Sequence, residues 1–351
     1  MRNLFTKKSR NLLGVDVSSS AVKLLEFSAV GNGLRLENYV IRPLPAGAVQ
    51  EKNIQDEVAV TESLRQALAM LKPRSRDAAI AVAGSAVITK TIRMNTALSD
   101  AELESQIVVE ADQYIPYPLG EVALDFERQP GTEVEGNVDV LLAACRRENV
   151  DLRVGVLEAA GLTANVVDIE AFAMERAYGL IEQQFNSAPE MVGVVDIGAT
   201  MCTLYILRHG KIIYTREQLF GGQQLLEQIQ VHFSLSPGEA EVALRENRLP
   251  PEYGETILPA FRDAVVEQVG RSLQLFFSSS HYNDIDQLIL AGGVSALVDL
   301  ESRVEESSGI GTRIANPFSG LALGDRVNRQ ALSRDAPALM IACGLAMRTR
   351  Y

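Results

Sequence analysis

Two short apolar segments each lead to an aspartate followed by small residues, a pattern that could hold a polyphosphate and its cation. The first runs Gly-Val-Asp-Val-Ser-Ser-Ser from Gly14, and the second runs Val-Val-Asp-Ile-Gly-Ala-Thr from Val194. Backbone N–H groups and hydroxyls at such turns can contact phosphate closely, because no large side chain blocks the approach. The predicted phosphate contacts are Asp16, Ser18, Ser19, Ser20, Asp196, Gly198, Ala199 and Thr200.

Asp16 and Asp196 are predicted to hold Mg²⁺ through water, because that ion keeps much of its hydration shell. Two carboxylates that face each other without a cation would repel one another. Lys23 lies in the second strand of the first predicted hairpin and can reach a phosphate oxygen as a point charge.

A third element, Leu-Ile-Leu-Ala-Gly-Gly-Val-Ser from Leu288, is a predicted buried strand that breaks into two glycines before a helix. The glycines let the backbone contact a flat ligand such as an adenine ring or a sugar, and the helix N-terminus adds partial positive charge. Alone, this pattern is no better than a structural turn. The predicted nucleotide site includes the small residues Gly221, Gly222, Gly292, Gly293 and Ser295.

The segments around Asp16 and Asp196 belong to a repeat with an offset of about 180 positions. In each copy the aspartate ends a strand, and a small polar turn, a second strand and a third strand follow. The predicted strands are 12–17, 21–27 and 34–41 in the first copy, and 191–197, 202–207 and 211–218 in the second. Either copy alone is weak, because apolar-Asp-apolar-small occurs at the end of many strands. Together they favour a duplicated domain over a solenoid, whose period is shorter.

The remaining hydrophobic periodicity predicts two α/β halves with a compact insert between them. The insert begins with a capping box, in which Ser99 and Glu102 each satisfy a backbone donor of the first helical turn. Near the chain's end, the periodicity predicts helices over 296–307 and 336–347. The predicted division is a tail (1–10), a first core subdomain (11–98 and 169–190), the insert (99–168), and a second domain (191–351) with a helical subdomain at about 221–284.

Composition narrows the class of protein further. The 351 residues are 47% hydrophobic and 22% charged, which is typical of a packed globular chain. A net charge of −12 argues against nucleic acid as a partner, because it repels phosphate backbones. No run reaches the eighteen or so apolar residues of a spanning helix, so the expected location is the cytoplasm. The basic tail, with Arg2, Lys7, Lys8 and Arg10, is either a solvated terminus or a membrane or partner contact.

The cysteines and histidines predict neither a metal centre nor a catalytic triad. Cys145, Cys202 and Cys343 lie far apart in apolar runs, as buried thiols of a reducing compartment would. The histidines, His209, His232 and His281, are equally scattered.

These segments together resemble the actin-like ATPase superfamily over nearly the whole chain. The matching parts are two phosphate loops (14–23 and 194–203), an adenosine loop (290–295) and two connecting helices (170–180 and 336–347). The resemblance implies an α/β, duplicated actin-like (ribonuclease H-like) ATPase fold with a small α/β insert in the first half, and ATP with Mg²⁺ as cofactors. It also places Glu170 where the superfamily carries a residue that orients the attacking water. The alternative for Glu170 is an ordinary helix-start carboxylate.

Within the superfamily, the chain most resembles PilM, the actin-like family of type IV pilus assembly. The matching text covers 16–26, 87–92, 110–118 and 316–318, and the insert's position resembles that of PilM and its relative FtsA. The resemblance implies a cytoplasmic scaffold in pilus assembly and twitching motility, associated with the inner membrane through protein partners. Other pilus components and a second copy of the chain are further expected partners.

Members of that family bind the N-terminal cytoplasmic segment of PilN in a groove between the first core subdomain and the insert. If this carries over, the groove residues are Glu110, Tyr114, Ile115 and Tyr117. A Tyr-Ile-Pro-Tyr segment could supply an apolar pocket for a peptide. Core packing is the rival explanation for Tyr114 and Ile115.

Ser18 departs from the glycine that is usual in the first phosphate loop of active superfamily members. A side chain there crowds the backbone approach to phosphate, which favours a nucleotide-bound scaffold and at most a weak ATPase. The alternative is a working actin-like ATPase or a small-molecule kinase, which would need a catalytic base in the cleft.

Overall fold

The computed structural model describes residues 12–31 and 33–348. The basic tail considered above lies outside the described residues. The strands, in chain order, are β1 (Leu13–Val17), β2 (Ala21–Val30), β3 (Gly33–Pro43), β4 (Val49–Gln50), β5 (Asn53–Ile54), β6 (Asp77–Val82), β7 (Val87–Asn95), β8 (Val122–Arg128), β9 (Asn137–Arg146), β10 (Thr163–Ile169), β11 (Met191–Ile197), β12 (Met201–Arg208), β13 (Lys211–Leu219), β14 (Gln287–Ala291), β15 (Thr312–Ile314) and β16 (Ala322–Leu323).

The helices are interspersed with these strands along the chain. They are α1 (Glu57–Leu71), α2 (Asp100–Ala111), α3 (Arg147–Ala159), α4 (Glu170–Glu182), α5 (Gly222–Phe233), α6 (Pro237–Arg245), α7 (Leu258–Ser279), α8 (Leu300–Ser308), α9 (Arg329–Asp335) and α10 (Met340–Ala346). Within the described part of the chain, no helix is both long and apolar enough to cross a membrane.

The two large sheets share one strand order, which makes the duplication visible. The first runs β3-β2-β1-β6-β10, with β16 added beside β3, and the second runs β13-β12-β11-β14-β15. In both, the first three strands are antiparallel and the last two join in parallel. The predicted duplicated α/β fold is therefore confirmed.

Helices α4 and α10 pack together between the two sheets and join the halves. Their core includes Met174, Tyr178 and Met340, with apolar side chains from both sheets around them. Gly344 is required where the helices touch, because a Cβ there would collide with the Ala173 carbonyl. This shared core fixes how the two halves face one another.

The three-stranded sheet β7-β9-β8 forms the insert, and α2 packs on it through Leu103 and Ile107. The capping box of Ser99 and Glu102 is present. The insert's own elements run over 87–146, which differs from the predicted 99–168. The reason is that β10 pairs with β6 in the first sheet, and α3 packs into that sheet's core through Val156 and Leu157.

Two helices near the end of the chain are shorter than the ranges predicted from hydrophobic periodicity. The segment 336–347 begins with a 3-10 turn at Ala336–Leu339, and α10 follows. Pro337 cannot donate the hydrogen bond that would continue a helix through this point. Similarly, 296–307 becomes helical only at Leu300, after a 3-10 turn at Gly293–Ala296. The three cysteines are free and buried, as predicted.

Candidate functional site

A cleft of about 890 Å³ opens between the two halves. It collects residues from segments that are far apart in sequence, because β1 and β11 occupy equivalent central places in their sheets. The predicted residues that line it are Asp16, Ser18, Ser19, Ser20, Lys23, Glu170, Asp196, Gly198, Ala199, Thr200, Gly222, Gly292 and Gly293.

The two loop tips meet directly across this cleft. The first tip is closed by the Ser18 N–H, which donates to the Ala21 carbonyl at 3.0 Å, and the Ser18 hydroxyl donates to the same oxygen. The second is closed by the Gly198 N–H, which donates to the Met201 carbonyl at 2.9 Å. Between them, Ser19 Oγ lies 2.7 Å from Thr200 Oγ1. The two turns therefore form one surface of hydroxyls and backbone groups.

Asp16 and Lys23 form an ion pair at this surface, with Lys23 Nζ 2.8 Å from Asp16 Oδ2. The pairing of β1 with β2 places the two residues opposite one another. Burial lowers the pKa of Lys23, but the charge and hydrogen bond of Asp16, with the charges of Asp196 and Glu170, raise it more, so its pKa lies above the ordinary value. Lys23 is thus a fixed cation beside the predicted phosphate position.

Asp196 stands in a different electrostatic environment. Burial raises the pKa of its carboxyl, Lys23 and Lys52 oppose that effect, and Asp16 adds to it. A buried carboxylate with a raised pKa is one whose charge is incompletely compensated by its surroundings. A cation beside Asp196 and Asp16 would supply the missing compensation.

Gly292 brings the predicted adenosine loop against the second tip. Its φ is 83°, and a Cβ there would lie 2.6 Å from Asp196 Oδ1 and would also collide with the Ile197 carbonyl. Only glycine fits this backbone conformation and spacing. Ser295 is buried behind the turn, where its hydroxyl donates to the Gly292 carbonyl at 2.7 Å. It supports the turn and does not line the cleft.

Gly221 also lies behind the cleft surface. A Cβ there would lie 2.5 Å from the carbonyl oxygens of Gly198 and Ala199. Close contact lets the N–H groups of Gly222 and Gln223 donate to those carbonyls at 3.0 and 2.7 Å. Gly221 therefore packs α5 against the second tip, while Gly222 reaches the cleft itself.

One charged residue that lines the cleft, Lys52, was not predicted from the sequence, and neither were two of its partners, Glu217 and Arg153. Lys52 Nζ lies 2.7 Å from Glu170 Oε2 and 3.0 Å from Glu217 Oε1. Arg153 donates to the backbone carbonyl of Lys52 at 2.8 Å. Lys52 lies in the turn between β4 and β5, strands of two residues each, which are too short for a pattern of alternation to reveal. Burial raises the pKa of Glu170, and Lys52 opposes that effect.

The family comparison agrees with this architecture over almost its full length. The model of the family described as type IV pilus assembly protein PilM matches residues 14–350. The chain belongs to the PilM family. Among solved structures, it is similar to the PilM-PilN type IV pilus biogenesis complex, with 29% identity, coverage of 96% of this chain and 98% of that one, and a TM-score of 0.77.

A second solved structure shows how widely this fold is shared beyond the PilM family. The chain is similar to the ethanolamine utilization protein EutJ from Carboxydothermus hydrogenoformans at 15% identity and a TM-score of 0.55. The match covers 96% of this chain and 89% of that one. At this identity the likeness concerns the fold alone, which is actin-like.

The segment predicted to form a peptide groove contains both buried and accessible residues. Ile115 is buried in a small core with Ala111 and Val122, so core packing explains it. Tyr114 is 41% exposed, and the Lys90 ammonium lies 5.1 Å from its ring centroid. Tyr117 is half-buried, with the Arg146 guanidinium 4.5 Å from its ring centroid. Glu110 is half-buried at the end of α2.

Proposed function

We propose that this chain is an ATP-binding scaffold of the type IV pilus inner-membrane assembly platform and that it binds the N-terminal cytoplasmic segment of PilN. The observation that carries the nucleotide half of this proposal is the direct meeting of the two loop tips at Ser19 and Thr200. Both tips face one cleft together with the carboxylates of Asp16 and Asp196.

The cleft's donor set fits a magnesium nucleotide. Hydroxyls and backbone groups of the tips would contact phosphate oxygens, and Lys23 would add a positive charge. Among the described residues, no group of three His, Cys, Asp or Glu side chains is placed to hold a metal by itself. A magnesium ion at Asp16 and Asp196 would therefore take its remaining ligands from water and phosphate, as this ion commonly does.

Two observations favour a scaffold over an enzyme. Ser18 puts a side chain on the first phosphate loop, where it crowds the approach of phosphate. In addition, Glu170, the residue expected to orient an attacking water, is held in an ion pair by Lys52. Tight nucleotide binding with little turnover is consistent with both.

The partner half of the proposal rests on family membership and on the accessible aromatic residues of the insert. The similar PilM structure was solved as a complex with PilN. Here Tyr114 and Tyr117 offer aromatic surface, and each has a cation over its ring. Such sites suit a peptide with apolar anchors. Binding PilN would place the chain at the inner membrane, where other pilus components and further copies of the chain are candidate neighbours.

The nucleotide proposal is tested by purifying the protein without added nucleotide and identifying any bound nucleotide by mass. ATP titrations with and without Mg²⁺ then measure affinity for the wild type and for Asp196→Asn. We expect magnesium-dependent ATP binding that Asp196→Asn removes. Equal affinity in the two proteins would contradict the metal site, and robust phosphate transfer to any sugar or acid would contradict the scaffold.

The partner proposal is tested by titrating a labelled PilN N-terminal peptide into wild type, Tyr114→Ala and Tyr117→Ala. Val231→Ala, at a position 83% exposed on α5, is the matched control for loss of exposed apolar surface. We expect each tyrosine variant to weaken binding and the control to leave it unchanged. Ile115 is unsuitable for this test because its truncation would disturb the insert's core. Unchanged affinity in both tyrosine variants would exclude this segment as the groove.

A further inference from the structure

Lys52 connects the first half, the first connecting helix and the second half through one ammonium group. Its Nζ lies 2.7 Å from Glu170 Oε2 on α4 and 3.0 Å from Glu217 Oε1 on β13. The three side chains are only 12–13% exposed. Ion pairs with so little solvent around them are screened far less than those at the surface. Removing one partner of this bridge should therefore cost more stability than removing one partner of an ordinary surface ion pair.

The turn that carries Lys52 is held in place from behind by Arg153. Glu51 and Lys52 have φ of 46° and 64°, so the turn is tight although it contains no glycine. Arg153, buried in α3, donates to the carbonyls of Ala81 at 2.7 Å, Asn149 at 3.1 Å and Lys52 at 2.8 Å. The hairpin is consequently fixed to the end of β6, and its side chain projects from a rigid base.

Glu217 lies against the first half as well as on the second. A Cβ at Gly84, which follows β6, would lie 3.8 Å from Glu217 Oε1. Burial lowers the pKa of Lys52, but Glu170, Tyr205 and Glu217 together raise it more, and its pKa lies well above the ordinary value. The ammonium stays charged and is shared between two carboxylates that would otherwise repel one another.

We propose that Lys52 is a positioning residue that engages Glu170 and fastens Glu217 of the second half, so that the cleft holds a nucleotide without hydrolysing it. A carboxylate can orient or deprotonate a water only with an oxygen that is free to accept that water's proton. The ammonium occupies Glu170 Oε2, offsets part of the carboxylate's charge, and fixes the direction in which the second oxygen, Oε1, can meet a water. This inference rests on the proposed nucleotide binding, but its structural half can be tested without nucleotide.

The first experiment is a double-mutant cycle of Lys52→Met and Glu217→Gln in the nucleotide-free protein, measured by urea unfolding. We expect the pair to be coupled by about tenfold or more in the unfolding equilibrium constant, as for buried ion pairs. Lys211 of β13 and Glu175 of α4, paired at 2.6 Å, form the control, because β13 and α4 are the two elements whose carboxylates Lys52 contacts. Because Lys211 is 79% exposed, its coupling should stay within about fivefold. Equal coupling of the two pairs would overturn the bridge.

The second experiment measures phosphate release from protein-bound ATP. Lys52→Met should raise the rate by about tenfold or more, since a freed base commonly contributes at least that much. Lys52→Arg, which keeps the positive charge and can donate to both carboxylates, should release phosphate at the wild-type rate. In the double variant that combines Lys52→Met with Glu170→Gln, the increase in the rate of phosphate release should disappear. An increase caused only by a loosened structure would persist in that double variant. Lys52→Gln is the second variant should the methionine variant not fold.

The outcomes distinguish failure of the role inferred for Lys52 from failure of the proposed nucleotide binding. A variant that retains ATP but shows no gain would overturn the inference, and so would a gain that survives Glu170→Gln. Wild type and variant that both fail to retain ATP would instead overturn the nucleotide proposal. In that case the urea cycle still decides whether Lys52 fastens the halves.

Discussion

Ser19 Oγ and Thr200 Oγ1 are 2.7 Å apart, although their residues belong to different halves of the molecule. Each hydroxyl stands at the tip of a turn after a central strand, and the shared strand order places the two tips opposite one another. A phosphate group that enters between the tips must replace this contact with contacts of its own. If nucleotide binds as proposed, the loss of this hydrogen bond would report that the site is filled.

We predict that the coupling between Ser19 and Thr200 depends on nucleotide. In its absence, a double-mutant cycle of Ser19→Ala and Thr200→Ala should give about 1 kcal/mol, which is typical of a neutral hydrogen bond. With saturating Mg²⁺-ATP the coupling should fall toward zero, because each hydroxyl then bonds to phosphate. Urea unfolding with and without nucleotide measures both values, and a coupling unaffected by ATP would place the phosphates elsewhere.

Asp16 and Asp196 should respond differently to loss of charge. Asp16→Asn leaves the Lys23 ammonium without its 2.8 Å partner in a nearly buried position, so we expect a loss of about 3 kcal/mol in the free energy of unfolding. The double variant that combines Asp16→Asn with Lys23→Met should recover much of the lost free energy of unfolding. Asp196→Asn should not destabilise the nucleotide-free protein, because burial already disfavours that charge. Chemical denaturation of the four proteins checks this order, and similar losses in both single variants would contradict it.

The stability of the nucleotide-free protein should also vary with pH through Asp196. Its pKa is raised in the folded state by burial, so the folded protein holds this proton more tightly than the unfolded chain does. The resulting stabilisation is complete below the ordinary aspartate pKa of about 3.9 and is lost as pH rises through the raised value. We therefore expect the free energy of unfolding of Asp196→Asn, relative to wild type, to increase as pH rises from about 4.

Unfolding curves at several pH values test this, with Asp284→Asn, which alters an exposed carboxyl, as the matched control. Adding Mg²⁺-ATP should reduce the dependence, because a bound cation favours the charged carboxylate. A wild-type advantage that grows with pH would show that Lys23 and Lys52 outweigh burial at this position.

The sequence predicted the duplicated segments and the strands within them. The copies around Asp16 and Asp196 anticipated the two sheets, because strand patterns and small turns depend on local residues. The small sheet of the insert begins about a dozen residues before the predicted start of the insert and ends before its predicted end. Nothing local distinguishes β10, which joins the large sheet, from a strand of the insert, since pairing between distant strands decides that.

The charged bridge was unpredictable for a related reason. Lys52, Glu170 and Glu217 come from a two-residue turn, a helix start and an edge strand, and only the folded arrangement brings their charges together. The role of Arg153 could not be predicted from the sequence either, because its three hydrogen-bond acceptors are backbone carbonyls, which any residue would supply. The sequence predicts Ser295 and Gly221 as part of the nucleotide site, and the structure places both behind the residues that line the cleft. Where the chain turns sharply, neighbouring residues can point in different directions. Position in the sequence then does not distinguish residues that line the cleft from residues packed behind them.

Gly292 and Gly293 offer the sharpest test of how the second tip is built. Gly292→Ala introduces a Cβ 2.6 Å from Asp196 Oδ1 at a φ of 83°, whereas a Cβ at Gly293 meets no described atom within 4 Å. We expect Gly292→Ala to reduce the free energy of unfolding by about 3 kcal/mol, through a strained φ together with overpacking. Gly293→Ala should change it by less than about 1 kcal/mol.

The same pair separates damage to the carboxylate from general loss of stability. Under conditions where both variants are fully folded, Gly292→Ala should weaken magnesium-dependent ATP binding, because the new methyl group displaces Asp196. Binding without Mg²⁺ should change less, since the substitution leaves the hydroxyls of Ser19 and Thr200 in place. Calorimetric titrations with and without Mg²⁺ distinguish these effects. If Gly292→Ala bound Mg²⁺-ATP as tightly as Gly293→Ala, Asp196 would have no part in holding the cation.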